Sequence, residues 1–184
     1  MSKTPGVGAD TAHIAAALLK DPIDFFLSEH NRQLEFCDAL ETLADVMEIQ
    51  PVKEQAAVLL RFMTEDLPLH IEDEEQDLFP LLMSGREQQT EINQALAQLI
   101  TEHEGDKELV RPIVADLQEI NDGRALADPA RFHRNVQVFC GLQRRHLIWE
   151  NRLVLPLAKR SLSNAEKAEL RRRMIAKRET RARR

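Results

Sequence analysis

Residues 70–82 read HIEDEEQDLFPLL, and residues 146–157 read HLIWENRLVLPL. Both have the form His, three residues, Glu, five residues, Pro, Leu. Residues four apart on an α-helix stand one above the other, with roughly 5–6 Å between Cβ atoms. His70 with Glu74, and His146 with Glu150, can therefore each turn an imidazole and a carboxylate toward one point. A Glu-His pair stands upstream of each copy: Glu29-His30 lies 40 residues before His70, and Glu102-His103 lies 43 before His146. The chain thus reads as a duplicated helix pair with one histidine on each helix.

The rest of the sequence divides into helices around these four histidines. Asp21-Pro22 gives a capping side chain followed by proline at the first helical position, and a helix is expected from about 22 to 49. Its apolar residues Phe26, Leu27, Leu34, Cys37, Leu40, Leu43 and Val46 recur at the spacing of one buried stripe. A second helix runs from Pro51 to about Met83, with a kink expected near Pro68 because an internal proline removes a hydrogen bond and strikes the preceding turn. Ser84-Gly85 ends it. A third spans about Arg86 to Ile120, again interrupted by a proline, Pro112, and Asn121-Asp122-Gly123 breaks the chain. A fourth starts at Asp128-Pro129 and reaches about Arg160; Ser163 with Glu166 then forms the capping box of a fifth. No sustained alternation of the strand type occurs. The expected architecture is all-α: an up-down-up-down four-helix bundle over 21–181, with a tail or short helix at 1–20 and a trailing basic fifth helix.

Composition narrows the function classes. With 184 residues, 43% hydrophobic and 30% charged, the chain can bury a full core without a metal or disulfide to hold it, so a metal would serve function. The net charge of −6 argues against nucleic acid as partner. A basic cluster at the C-terminus, from Lys167 through Arg184, reads as a solvated helical face suited to a helix end, or as a surface for an acidic partner. No run approaches the roughly 20 apolar residues of a membrane helix, and no signal-peptide pattern opens the sequence, so a cytoplasmic protein is expected. Cys37 and Cys140, far apart and outside any CxxC, read as reduced, buried thiols.

Four of the six histidines fall on the duplicated pattern, among apolar neighbours: Phe26 and Leu34 beside His30, Leu142 and Leu153 beside His146. Burying four imidazoles and two carboxylates without a cation leaves polar groups that are costly to satisfy. Four nitrogens with two carboxylates suit a mid-row transition metal, and a pair of metals sharing carboxylates is how helical bundles hold di-iron and di-manganese centres. The expected ligands are His30, His70, Glu74, His103, His146 and Glu150. His13 and His133, outside the pattern, are expected at the surface.

The order His, HxxxE, His, HxxxE on successive helices resembles the hemerythrin-like HHE cation-binding domain. The resemblance covers about 21–181 and extends to Leu78-Phe79-Pro80-Leu81-Leu82 and to the helix from Ser163 to Met174. It implies Glu74 and Glu150 as bridging carboxylates, His30 and His70 on one iron, and His103 and His146 on the other, with an oxo or hydroxo bridge. Manganese or zinc would suit the same donors. This chain departs from the oxygen carriers of that family: Lys107 stands where they carry a fifth histidine, and Asn151 where they carry an aspartate. At least one coordination position is then open on each metal, for which Glu75 and Glu104 are candidates. The resemblance implies a non-haem di-iron protein that binds or senses O2, NO or iron, or a di-iron enzyme that reduces peroxide or oxidises iron. A structural metal-binding bundle or regulatory interaction module is a further reading. Trp149, between His146 and Glu150, is a candidate redox neighbour.

Overall fold

The computed structural model describes residues 21–47, 52–84 and 90–183. The tail or short helix expected at 1–20, with His13, lies outside them. The described chain is all helical: α1 (Pro22–Val46), α2 (Lys53–Arg61), α3 (Leu67–Asp73), α4 (Phe79–Met83), α5 (Thr90–Asn121), α6 (Pro129–Trp149), α7 (Leu155–Ser161) and α8 (Asn164–Ala182). Short π-helical stretches join α2 to α3 (Phe62–Asp66), α3 to α4 (Glu74–Leu78) and α6 to α7 (Glu150–Val154). These joints make α2–α4 one continuous arm and α6–α7 another, so that with α1 and α5 the chain forms four arms of a bundle, and α8 lies outside it. Arm α1 packs along α6, α2 along α5, and α5 along α6. No helix among the described residues is long and apolar enough to cross a membrane.

Local signals account for the helix starts. Asp21 caps α1 by accepting the Ile23 N–H at 2.7 Å, and Asp128 caps α6 by accepting that of Arg131 at 2.8 Å. The capping box of Ser163 and Glu166 opens α8. The kink expected at Pro68 takes a specific form, and it recurs. Each π stretch ends two residues before a proline, Pro68, Pro80 or Pro156. A proline ring strikes the carbonyl four residues back, which here belongs to Thr64, Gln76 or Arg152, in each case inside the π stretch. Widening the helix by one residue there absorbs the clash while the rod continues. Pro112 is carried within α5 without such a turn.

The core is divided. One apolar cluster, built on Phe36, Leu40, Phe62, Ile113, Phe132 and Phe139, fills one end of the bundle. The other, built on Phe26, Leu78, Phe79, Leu96, Leu155 and Met174, fills the opposite end. All four arms contribute to both, and along each arm the conspicuous histidine lies between the two contributions. In α1 the buried stripe runs through Phe25, Phe26, Phe36, Cys37 and Leu40. Leu27, expected on that stripe, is 44% exposed, because the stripe rotates to place His30 and Gln33 inward.

The basic helix α8 finds its carboxylates within the same chain. Arg178 lies 2.6 Å from Asp73, Lys177 lies 3.3 Å from Asp73 and 2.6 Å from Asp77, and Arg181 lies 2.8 Å from Glu72. Asp73 and Asp77 are buried by this docking, and the Arg178 guanidinium also sits 4.9 Å from the centre of the Phe25 ring. The basic cluster is in this part an internal seam rather than a solvated face.

Candidate metal centre

Between the two apolar clusters, four arms each supply one imidazole and two of them also supply a carboxylate. His30, His70, Glu74, His103, His146 and Glu150 are all buried and come together at one place. The side-chain donors form two overlapping groups: His30, His70, Glu74 and Glu150 in one, and Glu74, His103, His146 and Glu150 in the other. Both glutamates belong to both groups. Each divides its oxygens between the two halves. Glu74 Oε1 lies 3.1 Å from His70 Nε2 and 3.5 Å from His30 Nε2, while its Oε2 faces His103 Nε2 at 3.6 Å. Glu150 Oε1 lies 3.2 Å from His146 Nε2, and its Oε2 lies 3.4 Å from His30 Nε2. Both glutamates open a π stretch, so the duplicated proline six residues beyond each one coincides with the widening that begins at the carboxylate.

The outward ring nitrogens are tied down. His103 Nδ1 meets Glu75 Oε1 at 2.8 Å, His146 Nδ1 meets Glu102 Oε2 at 3.0 Å, and His30 Nδ1 meets the Asn151 side-chain oxygen at 2.6 Å. All three partners are acceptors, so each Nδ1 carries the proton and leaves an Nε2 lone pair directed inward. Orienting partners of this kind fix the tautomer of a metal-binding histidine. Glu75, expected as a candidate to fill a coordination position, instead holds His103 from behind. Glu104 pairs with Lys107 at the surface and does not enter the centre. Asn151 is the partner of His30, a role its sequence position alone did not indicate.

Inside the centre several atoms have no hydrogen-bond partner: His30 Nε2, Glu74 Oε2 and both oxygens of Glu150. Buried acceptors of this kind are costly unless something positive completes them. Protons can do part of this. Burial alone would lower the pKa of His70, but the Glu74 carboxylate raises it to about 9; likewise burial opposes and Glu150 raises that of His146, to about 10. Burial would raise the Glu74 carboxyl, but His70 and His30 hold it well below the ordinary range. The donors therefore fit a cation: converging nitrogens and oxygens with fixed outward hydrogen bonds, and a charge balance that displaced protons would otherwise supply.

Other conspicuous residues lie apart from the centre. His133 is at the surface, 3.0 Å from Asp45 Oδ1. Cys37 and Cys140 are free and buried, as expected, and are neighbours across α1 and α6: the Cys140 thiol points at the Cys37 carbonyl at 3.7 Å. Trp149 is 58% exposed, so it points away from the centre.

A four-arm helical bundle with buried histidines and shared glutamates at its midpoint defines a metal-site bundle protein. The family model of the hemerythrin HHE cation-binding domain matches residues 21–158. The chain belongs to that family, and α8 lies beyond the matched region. Comparison with curated proteins gives no significant match.

Proposed function

We propose that this chain is a non-haem di-iron protein of hemerythrin type, in which Glu74 and Glu150 bridge two irons held by His30 with His70 and by His103 with His146. The observation that supports it is the division of each carboxylate's oxygens between two histidine pairs. A mononuclear site needs no such sharing. Iron suits the mixture of imidazole and carboxylate, and manganese or zinc would be held by the same atoms.

The ligand of this centre, on the same reading, is a small diatomic molecule, O2 or NO. Two nitrogens and two carboxylate oxygens on each iron leave coordination open, and Lys107 points to solvent, 64% exposed, where the oxygen carriers place a further histidine. Bound iron would supply reversible attachment of such a molecule and an electron to polarise it. The residues around it have separate tasks. Asn151, Glu75 and Glu102 hold three imidazoles in orientation, and the apolar clusters on either side exclude water from the bundle axis. The test is the optical spectrum of the iron-loaded, reduced protein exposed anaerobically to NO and then, in a separate sample, to O2. New absorption with either gas is expected; an unchanged spectrum with both would contradict the reading.

Peroxide reduction is the second reading, supported by Asp106. This carboxyl is buried beside the His103 and His146 half, accepts a hydrogen bond from Gln143 at 2.7 Å, and is raised in pKa by burial, which puts an acid–base group beside the centre. Sustained peroxide turnover that is lost in Glu74→Ala would favour the enzyme; a single stoichiometric reaction would favour the binding protein.

A further inference from the structure

The two halves of the centre differ at one pair of equivalent positions. Two residues after His30 stands Arg32, and two residues after His103 stands Gly105. The Arg32 guanidinium lies between Glu29, at 2.7 Å, and Asp66, at 3.1 Å, and 5.7 Å from the centre of the Phe62 ring. It thereby covers the flank of α1 and the second arm beside His30 and His70. At the equivalent position of the other half, Gly105 contributes no side chain. A cavity of ≈ 230 Å³ opens between α5 and α6, lined by Glu102, Gly105, Asp106, Leu142, Arg145 and His146.

Gly105 is inside α5, where glycine is unfavourable by about 1 kcal/mol relative to alanine. A Cβ built there meets nothing within 4 Å, so no close neighbour demands the glycine. What its absence of side chain does is leave the cavity open. The cavity's inner wall is the His146 ring, whose Nε2 faces the centre 3.2 Å from Glu150.

We propose that this cavity is the port by which a small uncharged ligand reaches the His103 and His146 half of the centre, while Arg32 closes the corresponding flank of the other half. The proposal rests on the di-iron reading above for the identity of what the ligand meets. The preference for an uncharged ligand follows from the lining, in which two acidic side chains, Glu102 and Asp106, outnumber the single guanidinium of Arg145. An anion crossing this lining meets more acidic than basic side chains, whereas NO or O2 carries no charge for them to repel.

Gly105→Leu puts a side chain into the port from a position where a Cβ has no neighbour within 4 Å, and removes a helix-interior glycine. Gly141→Leu is its control: Gly141, in α6, also has nothing within 4 Å of a built Cβ, and it does not line the cavity. In the iron-loaded, reduced protein, NO association followed by stopped-flow absorbance should be slowed about tenfold in Gly105→Leu, a barrier of ~1.4 kcal/mol, and be unchanged in Gly141→Leu. Both variants should retain wild-type metal content. NO association at the wild-type rate in metal-replete Gly105→Leu would overturn the port. Azide association with the oxidised wild-type protein should rise with ionic strength as the repulsion is screened; a flat or falling dependence would overturn the preference for uncharged ligands.

A readout independent of iron separates the port from the reading it rests on. In the metal-free protein, iodoacetamide should alkylate the thiol introduced by Leu142→Cys on the cavity wall ahead of the buried Cys37 and Cys140, as peptide mass analysis resolves, and adding Gly105→Leu should slow it at that thiol alone. If iron fails to bind but this pattern holds, the di-iron reading falls and the port stands. If iron binds and Gly105→Leu leaves that alkylation unchanged, the port falls and the di-iron reading stands.

Discussion

The Nε2 atoms of His103 and His146 stand 3.0 Å apart, and the Nδ1 atom of each is tied to a carboxylate, Glu75 for one and Glu102 for the other. With both Nδ1–H groups donating outward, the two lone pairs meet across that gap, and a proton or a cation between them relieves the contact. In the metal-free chain the proton belongs to His146, which Glu150 raises to about 10 against the effect of burial. A metal held at this position would take the place of that proton. Uptake of a divalent ion should therefore release protons into weakly buffered solution and tighten as pH rises from about 6 to about 8. Titration calorimetry in buffers of different ionisation enthalpy measures the release, and an uptake independent of pH would contradict it.

The same ionisations set the pH dependence of the metal-free fold. His70 and His146 titrate near 9 and 10 when folded, above the ordinary 6.5, so their contribution is complete below about 6.5 and is lost as pH rises through 9 to 10. Glu74 is depressed below 4.5, so its contribution is present above about 4.5 and is lost as pH falls through its folded value. Urea unfolding of the metal-stripped protein should give its highest midpoint between these limits and a falling midpoint toward pH 10. A midpoint that rises across the alkaline range would show that the histidines are not paired as described.

Sharing of the carboxylates ranks the ligand substitutions. Glu74 reaches both donor groups, whereas His30 belongs to one and His103 to the other. Glu74→Gln should reduce bound metal in both halves. His30→Ala and His103→Ala should each weaken chiefly their own half, leaving a single tighter ion. Metal analysis after gel filtration distinguishes the patterns; equal losses from all three would count against bridging.

Much of this was readable beforehand. The duplicated His-x3-Glu and its upstream histidines located all six central residues, because a histidine and a glutamate one helical turn apart leave a fixed spacing. The outer partners were not readable. Asn151 and Glu75 are neighbours of His30 and His103 only after four arms have been brought together, and no local spacing links residues 121 apart such as His30 and Asn151. The prolines signalled distortion, but not that three π stretches would carry it. The acidic side of the α8 seam was hidden within the motif itself: Asp73 and Asp77 alternate with the central carboxylate, and only the folded helix shows that they face α8 while Glu74 faces the axis.

Asn151 offers a direct test of such an outer partner. Asn151→Ala removes the acceptor that fixes His30 Nδ1–H, and losses of about 10–100-fold in metal affinity are usual for partners of this kind. Competition with a coloured chelator reads the change. The fold should persist, since Asn151 is only partly buried.

The α8 seam makes a contrasting prediction about stability. Arg178→Ala leaves the buried Asp73 carboxylate with Lys177 alone, at 3.3 Å, and should cost about 3 kcal/mol, the lower end for breaking a buried pair. Lys159→Ala, which removes an exposed partner of Asp24, should leave stability nearly unchanged. Equal effects in denaturant unfolding would mean that the seam contributes no more than a surface pair.

The central claim is a pair of metal ions sharing Glu74 and Glu150, and anaerobic titration of the metal-free protein with ferrous iron tests it most directly. Binding should saturate at two irons per chain, one for each donor group, and exposure to air should then bring the near-ultraviolet bands of an oxo-bridged ferric pair. Saturation at a single iron, or uptake unchanged in Glu74→Gln, would contradict the account.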